Sequence, residues 1–328
     1  MGGTAWSASS YADRVNLRAA SGAPTFGYHD TVAAMPSHAR TAHDTLKPYG
    51  VKIRESRDSD AHPESLAIAV FCDVTGSMRQ VPAIMQKNLP KLMALLISKG
   101  YVEHPQIMIG AVGDATCDRV PLQVGQFESG IEIEDNLTNL YLEGGGGGSS
   151  EESYELAAYF LARHTAMDCL EKRNKRGYAF IIGDEKPYSQ VSPGLVEKVI
   201  GDTLQAPIQT SELFKELDEK FEVYFVFPNM TNHWGDKRVE SVWQDLVGQR
   251  MLKLDQPESI CELIASTIGL AEGVADIDSL TTDLTAAGVD ASGAASVTRA
   301  LATVGAGGKK GDELAVADSG AASGVSSF

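Results

Sequence analysis

The stretch that decides the fold is Leu66-Ala-Ile-Ala-Val-Phe-Cys72, which runs directly into Asp73-Val-Thr-Gly-Ser-Met78. A continuous apolar run of this length is typical of a parallel β-strand that is buried on both faces. A polar segment with a glycine directly after such a strand predicts a loop at the carboxyl edge of a parallel sheet. We therefore expect an α/β domain with a candidate site at residues 73–78.

The sequence beyond this stretch alternates between helix and strand patterns. Apolar runs predict further strands at residues 107–112, 178–182, 221–227 and 251–254. Apolar residues spaced three and four apart predict helices at about 81–99, 151–170, 193–201, 211–220, 239–246 and 258–270. This alternation predicts an α/β domain over residues 65–273, with a doubly wound, mostly parallel sheet flanked by helices.

Two flanking segments lack this alternation. Residues 1–64 show little periodicity but contain scattered aromatic residues, so we expect an extended N-terminal arm that packs in part on the main body or on a neighbouring subunit. Residues 274–328 begin with a weak helical pattern at 277–287 and continue rich in Ala, Gly and Ser. Because this C-terminal tail has little to bury, we expect it to be flexible and disordered in isolation, or to form a helix on binding.

Composition and charge exclude some classes of binding partner. The chain has 328 residues, 43% of them hydrophobic, and a formal net charge of -16, so nucleic acid and anionic membranes are not expected as main partners. The N-terminus lacks a signal-peptide pattern, and no apolar run is long enough to cross a membrane. The four cysteines are widely spaced without a C-x-x-C pair, which predicts buried free thiols in a reducing, cytoplasmic setting.

Oxygen-bearing side chains are concentrated in three segments next to predicted strands and helices. The segments contribute Asp73, Thr75 and Ser77; Ser149 and Ser150 after five glycines; and Asp184 and Glu185. Mg²⁺ prefers oxygen ligands, usually a few protein groups together with water. We therefore predict a site for Mg²⁺, or for Mn²⁺ or Ca²⁺, with Asp73, Thr75, Ser77, one of Ser149 or Ser150, and Asp184 as ligands. Two carboxylates leave such an ion with affinity for an external carboxylate.

Other interpretations of the same residues remain open. Asp73 and Ser77 could cap the following helix, and Asp184 and Glu185 could form a solvated turn. The glycines could be a hinge or a phosphate-binding loop, although no Gly-Lys-Ser/Thr follows them. Asp114 could belong to a turn or could join Glu185 at the rim of the cation site.

The segment Asp73-Val-Thr-Gly-Ser-Met78 resembles the metal-ion-dependent adhesion site of von Willebrand factor type A domains. The resemblance covers about residues 65–273 and includes the glycine-rich second loop and the third loop, Ile181-Ile-Gly-Asp184. It implies that Asp73, Thr75, Ser77 and Asp184 hold the metal directly or through water. The family usually has Thr as its second-loop ligand, whereas this chain offers Ser149 or Ser150.

The resemblance also implies a function. It predicts a binding module, not an enzyme, whose protein partner supplies an Asp or Glu to the metal, and it suggests an adaptor role beside a MoxR-type AAA+ ATPase. An alternative is a structural subunit of a homo-oligomeric or phage particle, assembled through the arm and the tail. A third possibility, a metal-assisted hydrolase, would need Glu185 or Asp114 as its general base.

Overall fold

A computed structural model describes residues 4–78, 80–145 and 150–305 of the chain. Its strands are β1 (Arg54–Ser56), β2 (Leu66–Asp73), β3 (Pro105–Val112), β4 (Leu122–Glu128), β5 (Glu151–Glu152), β6 (Thr165–Met167), β7 (Gly177–Ile182), β8 (Lys186–Pro187), β9 (Gln190–Val191), β10 (Ile208–Gln209), β11 (Phe221–Pro228) and β12 (Met251–Leu254). Its helices are α1 (Ala8–Ser21), α2 (Gly27–Ala33), α3 (Val81–Met93), α4 (Glu132–Thr138), α5 (Tyr154–Arg163), α6 (Asp168–Arg173), α7 (Pro193–Val199), α8 (Thr210–Asp218), α9 (Lys237–Val247), α10 (Ile260–Ala271), α11 (Ile277–Ala286) and α12 (Ala291–Gly305).

A six-stranded sheet in the order β12-β11-β7-β2-β3-β4 forms the centre of the protein. The five strands predicted from apolar runs are parallel, and Val70 at the centre of β2 pairs with Ile109 on one side and Phe180 on the other. The sequence pattern missed β4, which pairs antiparallel with β3 at the edge. The mixed α/β architecture and the mostly parallel sheet are therefore confirmed.

Helices flank this sheet, and every residue of β2 is buried. Helix α3 packs with α10, whereas α5 packs with α8. The prediction of one helix over residues 151–170 is wrong: α5 ends at Arg163 because the chain then forms β6, which pairs with β1. In the described part of the chain, no helix combines the length and apolar character needed to cross a bilayer.

The N-terminal arm is not extended throughout, because α1 and α2 lie within it. Tyr11 of α1 is buried, and its hydroxyl donates a 2.8 Å hydrogen bond to the carbonyl of Gln86 in α3. Arg14 and Arg18 form ion pairs with Glu134, whose side chain is fully buried. Further along the arm, β1 and the helical turn Asp44–Leu46 lie against β4. The arm thus packs on its own chain and covers one edge of the sheet.

The expectation of a disordered tail is wrong for residues 274–305, which form α11 and α12. Leu280, Leu284, Val297 and Leu301 from these helices are fully buried. Helix α12 contacts both α10 and β12, the outer strand on the other side of the sheet. Residues 306–328 of the predicted tail lie outside the described residues.

The four cysteines are free thiols. Cys72, Cys169 and Cys261 are buried, as the sequence predicts. Cys117 differs because it lies exposed in the loop after β3, where its Sγ donates a hydrogen bond of 3.3 Å to Asp114 Oδ2.

An ion pair between the buried carboxylate of Glu262 in α10 and the exposed ammonium group of Lys91 in α3 leads to a stability prediction. Glu262 is fully buried, Lys91 Nζ lies 2.9 Å from its Oε1, and its Oε2 has no hydrogen-bond partner in the described part of the chain. Removing the cation leaves the buried carboxylate without its partner, which costs about 2 kcal/mol. We expect Lys91→Met to lower the free energy of unfolding in urea by about that amount. Lys87→Met, one helical turn earlier at an exposed position, is the control; equal losses in both variants would contradict the prediction.

Candidate functional site

The loops that follow β2 and β7 meet at the carboxyl edge of the sheet. Because these two strands are parallel neighbours, residues 73–78 and residues 183–185 leave the sheet side by side. Ser77 Oγ donates a 2.7 Å hydrogen bond to Asp184 Oδ1, and the backbone N–H of His233 donates to Asp184 Oδ2 at 3.1 Å. The structure thus brings together predicted site residues that are separated by more than a hundred positions in the sequence.

Asp73 is fully buried and is held in one orientation by three donors. Its Oδ1 accepts hydrogen bonds from Thr75 N at 2.8 Å and Thr75 Oγ1 at 2.6 Å, and its Oδ2 accepts one from Tyr154 Oη at 2.6 Å. The hydroxyls of Thr75 and Ser77 are 3.1 Å apart. Burial raises the pKa of Asp73 above its usual range, and the nearby Asp184 carboxylate adds to this shift. The charged form of Asp73 would be favoured by a positive charge at this point.

The glycine-rich segment touches the first loop. Gly76 N donates to Gly145 O at 2.7 Å, and Gly144 N donates to Val74 O at 3.2 Å. A Cβ at Gly76 would lie only 2.9 Å from Gly144 O, so this close approach requires glycine.

The predicted ligands in this second loop are placed differently. Ser149 lies outside the described residues. Ser150 has a φ of 57°, and its carbonyl accepts a 3.3 Å hydrogen bond from Lys186 N. It is not among the described residues that line the cavity next to Ser77.

That cavity has a volume of about 380 Å³, and it opens beside the hydroxyls of Thr75 and Ser77. Glu152 and Glu185 also line it. Glu152 lies in β5, which pairs with β8, and Glu185 directly precedes β8. The two carboxyl groups share a hydrogen bond, and burial raises the pKa of both. Glu152 Oε2 is buried without a hydrogen-bond partner in the described part of the chain. The cavity is therefore lined by two carboxyl groups as well as two hydroxyls.

The two predicted rim residues have different positions. Glu185 lines the cavity, where its Oε1 lies 2.9 Å from His233 Nε2 and its backbone carbonyl accepts a hydrogen bond from Trp243 Nε1. Asp114 is fully buried and does not line the cavity. Its Oδ1 accepts hydrogen bonds from Thr116 N at 2.8 Å and Thr116 Oγ1 at 2.7 Å, so it stabilises a turn.

Sequence reasoning missed Tyr154, Glu152 and His233. Tyr154 is the first residue of α5, and its role depends on a contact with Asp73 that local sequence does not show. Glu152 comes just before α5, where acidic residues are common for reasons of helix stability alone. His233 contributes through its backbone N–H and its ring, and nothing in the sequence around it indicates this.

The donor set contains hard oxygen atoms. In the described part of the chain, no group of three or more His, Cys, Asp or Glu side chains is arranged to hold a metal ion. Asp73 and Asp184 are instead connected through the hydroxyls of Thr75 and Ser77. Two carboxylates with two hydroxyls suit Mg²⁺, which takes few protein ligands and retains water, and do not suit Zn²⁺, which takes nitrogen and sulfur.

Comparison with protein-family models and with curated proteins finds no match. Among solved structures, the pilus adhesin SpaC from Lactobacillus rhamnosus GG, in its open conformation, is 9% identical with a TM-score of 0.45 over 65% of this chain and 31% of the adhesin chain. Proximal thread matrix protein 1 from the mussel byssus is 11% identical with a TM-score of 0.42 over 67% of this chain and 49% of that one. At TM-scores this low, the similarities carry no argument about function.

Proposed function

We propose that the chain is a protein-binding module of the von Willebrand factor type A kind, with a doubly wound sheet and a Mg²⁺-dependent site that engages a carboxylate of its partner. The observation that carries this proposal is the 2.7 Å hydrogen bond from Ser77 Oγ to Asp184 Oδ1 beside an open cavity. It joins the loops after two adjacent parallel strands, which is where open α/β sheets bind ligands.

Asp73, Thr75, Ser77 and Asp184 would hold the cation. When bound, Mg²⁺ would supply a positive centre with a coordination position for an external carboxylate oxygen. Tyr154 and the backbone of Thr75 orient Asp73, and the backbone of His233 orients Asp184. These fixed hydrogen bonds keep the donor oxygens in place before a cation arrives.

The test is calorimetric titration of Mg²⁺ and Mn²⁺ into the full chain and into Asp73→Ala. We expect saturable binding to the unaltered chain and no measurable binding to the variant, because the variant lacks one of the two buried carboxylates that would hold the cation. Asp60→Ala removes an equal charge at an exposed position and should bind both ions normally. Circular dichroism checks that Asp73→Ala is folded. Ser77→Ala, which removes only a hydroxyl, should weaken binding without unfolding the chain.

Partner capture supplies the second half of the test. Lysate is passed over the immobilised chain with and without EDTA. We expect a companion protein that is retained without EDTA and released with it. Immobilised Asp73→Ala should fail to retain the same protein. A MoxR-type AAA+ ATPase is the companion that the sequence resemblance suggests. Unchanged Mg²⁺ binding to Asp73→Ala would overturn the proposal at its first step.

A further inference from the structure

A second cavity lies between the N-terminal arm and the main body. Its volume is about 230 Å³. The arm contributes residues 40–42 and 47–49, the body contributes the segment 119–122 that leads into β4, and the end of α7 closes the third side. The residues of the predicted cation site do not line it.

The charge of this cavity is opposite to that of the whole chain. Its lining includes Arg40, Lys47, Arg119 and Lys198, and no carboxylate is among the described residues that line it. Lys47 forms a 2.6 Å ion pair with Asp44. No ion pair joins the other three cations to a carboxylate of the described residues. In a protein with a formal net charge of -16, four cations around one cavity are a local exception.

Backbone carbonyls hold the guanidinium groups of Arg40 and Arg119 in place. Arg40 Nη2 donates to Ala33 O at 3.2 Å, and Arg119 Nε donates to Ser37 O at 3.2 Å. Backbone carbonyls fix the position of a guanidinium group without neutralising its positive charge, although the Arg40 guanidinium also interacts electrostatically with the Glu143 carboxylate. The cations are therefore positioned before any ligand arrives, which lowers the entropic cost of binding.

The floor of the cavity is a small apolar cluster that is separate from the main core. Val32, Ala42, Val120 and Tyr141 form this cluster, and Ala42 and Val120 also line the cavity. The neighbouring carboxylate of Glu143 does not line the cavity; it accepts a 2.6 Å hydrogen bond from Val120 N. The cavity is thus a packed feature of the fold, with an apolar base and cationic walls.

We propose that this cavity binds the phosphate dianion of a small phosphomonoester or of free phosphate. Three cations without a carboxylate partner match a dianion better than they match a single carboxylate, and Arg and Lys together bind phosphate through charge-assisted hydrogen bonds. Tyr49, which is 66% exposed, offers an apolar surface at the rim for the organic part of a monoester.

The test is calorimetric titration of inorganic phosphate and of phenyl phosphate into the full chain at low ionic strength. EDTA in the buffer keeps divalent cations away, so the result is independent of the proposed Mg²⁺ site. The test variant is Arg119→Met with Lys198→Met, two exposed positions; circular dichroism and the melting temperature check that the loss of the Arg119 hydrogen bond to Ser37 O leaves the arm packed. The matched control, Lys52→Met with Lys215→Met, removes two exposed cations elsewhere.

We expect one saturable site in the unaltered chain and in the control, with binding at least about tenfold weaker in the test variant. Tighter binding of phenyl phosphate than of inorganic phosphate would identify an organic monoester as the ligand, and the reverse would identify free phosphate. Absence of saturable binding at millimolar concentrations would overturn the proposal. So would equal binding by the test variant, or equally tight binding of citrate at the same cations.

Discussion

Glu155→Gln should raise the free energy of unfolding at about pH 9 by ~4 kcal/mol, while leaving it nearly unchanged at about pH 4. Glu155 is fully buried at the start of α5. Its Oε1 has no hydrogen-bond partner in the described part of the chain, and its Oε2 accepts only a 3.3 Å hydrogen bond from Tyr188 N. Burial raises the pKa of Glu155 from 4.5 to about 8.

The direction of this effect follows from proton linkage. Below the unfolded-state pKa, Glu155 is protonated in both states and has no effect on stability. Between that pKa and about 8, the unfolded chain releases a proton that the folded chain retains, so stability falls as pH rises, by roughly 1.4 kcal/mol per pH unit. Above about 8 the loss is complete. Glutamine carries no charge and escapes this loss.

Urea denaturation of both chains across this pH range measures the difference. Glu197→Gln, at an exposed position on α7, is the control and should follow the unaltered chain at every pH. A constant difference between Glu155→Gln and the unaltered chain, independent of pH, would contradict the linkage argument.

A chain cut to residues 65–273, the domain that the sequence delimits, should aggregate, whereas residues 4–305 should remain monodisperse. The cut removes the arm from β4 and α12 from β12 and α10, which exposes buried surface on both outer strands of the sheet. It also leaves the buried carboxylate of Glu134 without its ion pairs to Arg14 and Arg18. Either change alone would remove a large fraction of the free energy of unfolding of a domain of ordinary stability.

Size-exclusion chromatography with light scattering distinguishes the outcomes. Chains of residues 65–305 and 4–273 assign the effect to one flank or the other. A monomeric 65–273 chain with the melting temperature of the 4–305 chain would show that neither flank is part of the folded unit.

The sequence predicted the parallel strands because a short, continuous apolar run that ends in a polar loop, such as that of β2, is typical of a buried strand. It missed β4, where Gln123, Gly125 and Gln126 interrupt the apolar pattern. Strand β4 is nevertheless well buried, because Gln123 Nε2 donates to Tyr141 O at 2.7 Å and the arm covers its edge. That burial depends on contacts distant in the sequence, which no local pattern reveals.

Helix α1 in the N-terminal arm and helix α12 in the C-terminal tail could not be predicted from sequence for a related reason. Within α1 only Tyr11 is buried, so the helix has almost no apolar stripe to recognise. Helix α12 buries Ala294 and Ser296 as well as Val297, and small residues of this kind resemble a linker in composition. In both cases the packing partner, not the segment itself, determines that the segment folds.

The candidate site was partly accessible from sequence. The alternation of Asp73, Thr75 and Ser77 is a local pattern, and the loop containing Asp184 follows an apolar run, so both could be placed at the same edge. Tyr154 and Glu152 could not be assigned to the site from sequence, because each acts through a partner far away in the chain. The pattern shows which loops meet, whereas the hydrogen-bond partners require the structure.

The four cysteines fall into two groups, the exposed Cys117 and the three buried thiols, whose alkylation reports two different opening motions of the chain. Thiols react with alkylating reagents as thiolates, and partial burial together with the hydrogen bond to Asp114 raises the pKa of Cys117 to about 12. Cys117 is therefore on the surface but slow to react until the turn that holds it beside Asp114 opens. Cys72, Cys169 and Cys261 become accessible only when the core itself opens. Alkylation followed by mass spectrometry would thus time the release of the loop beside the sheet edge separately from global unfolding, without any engineered label.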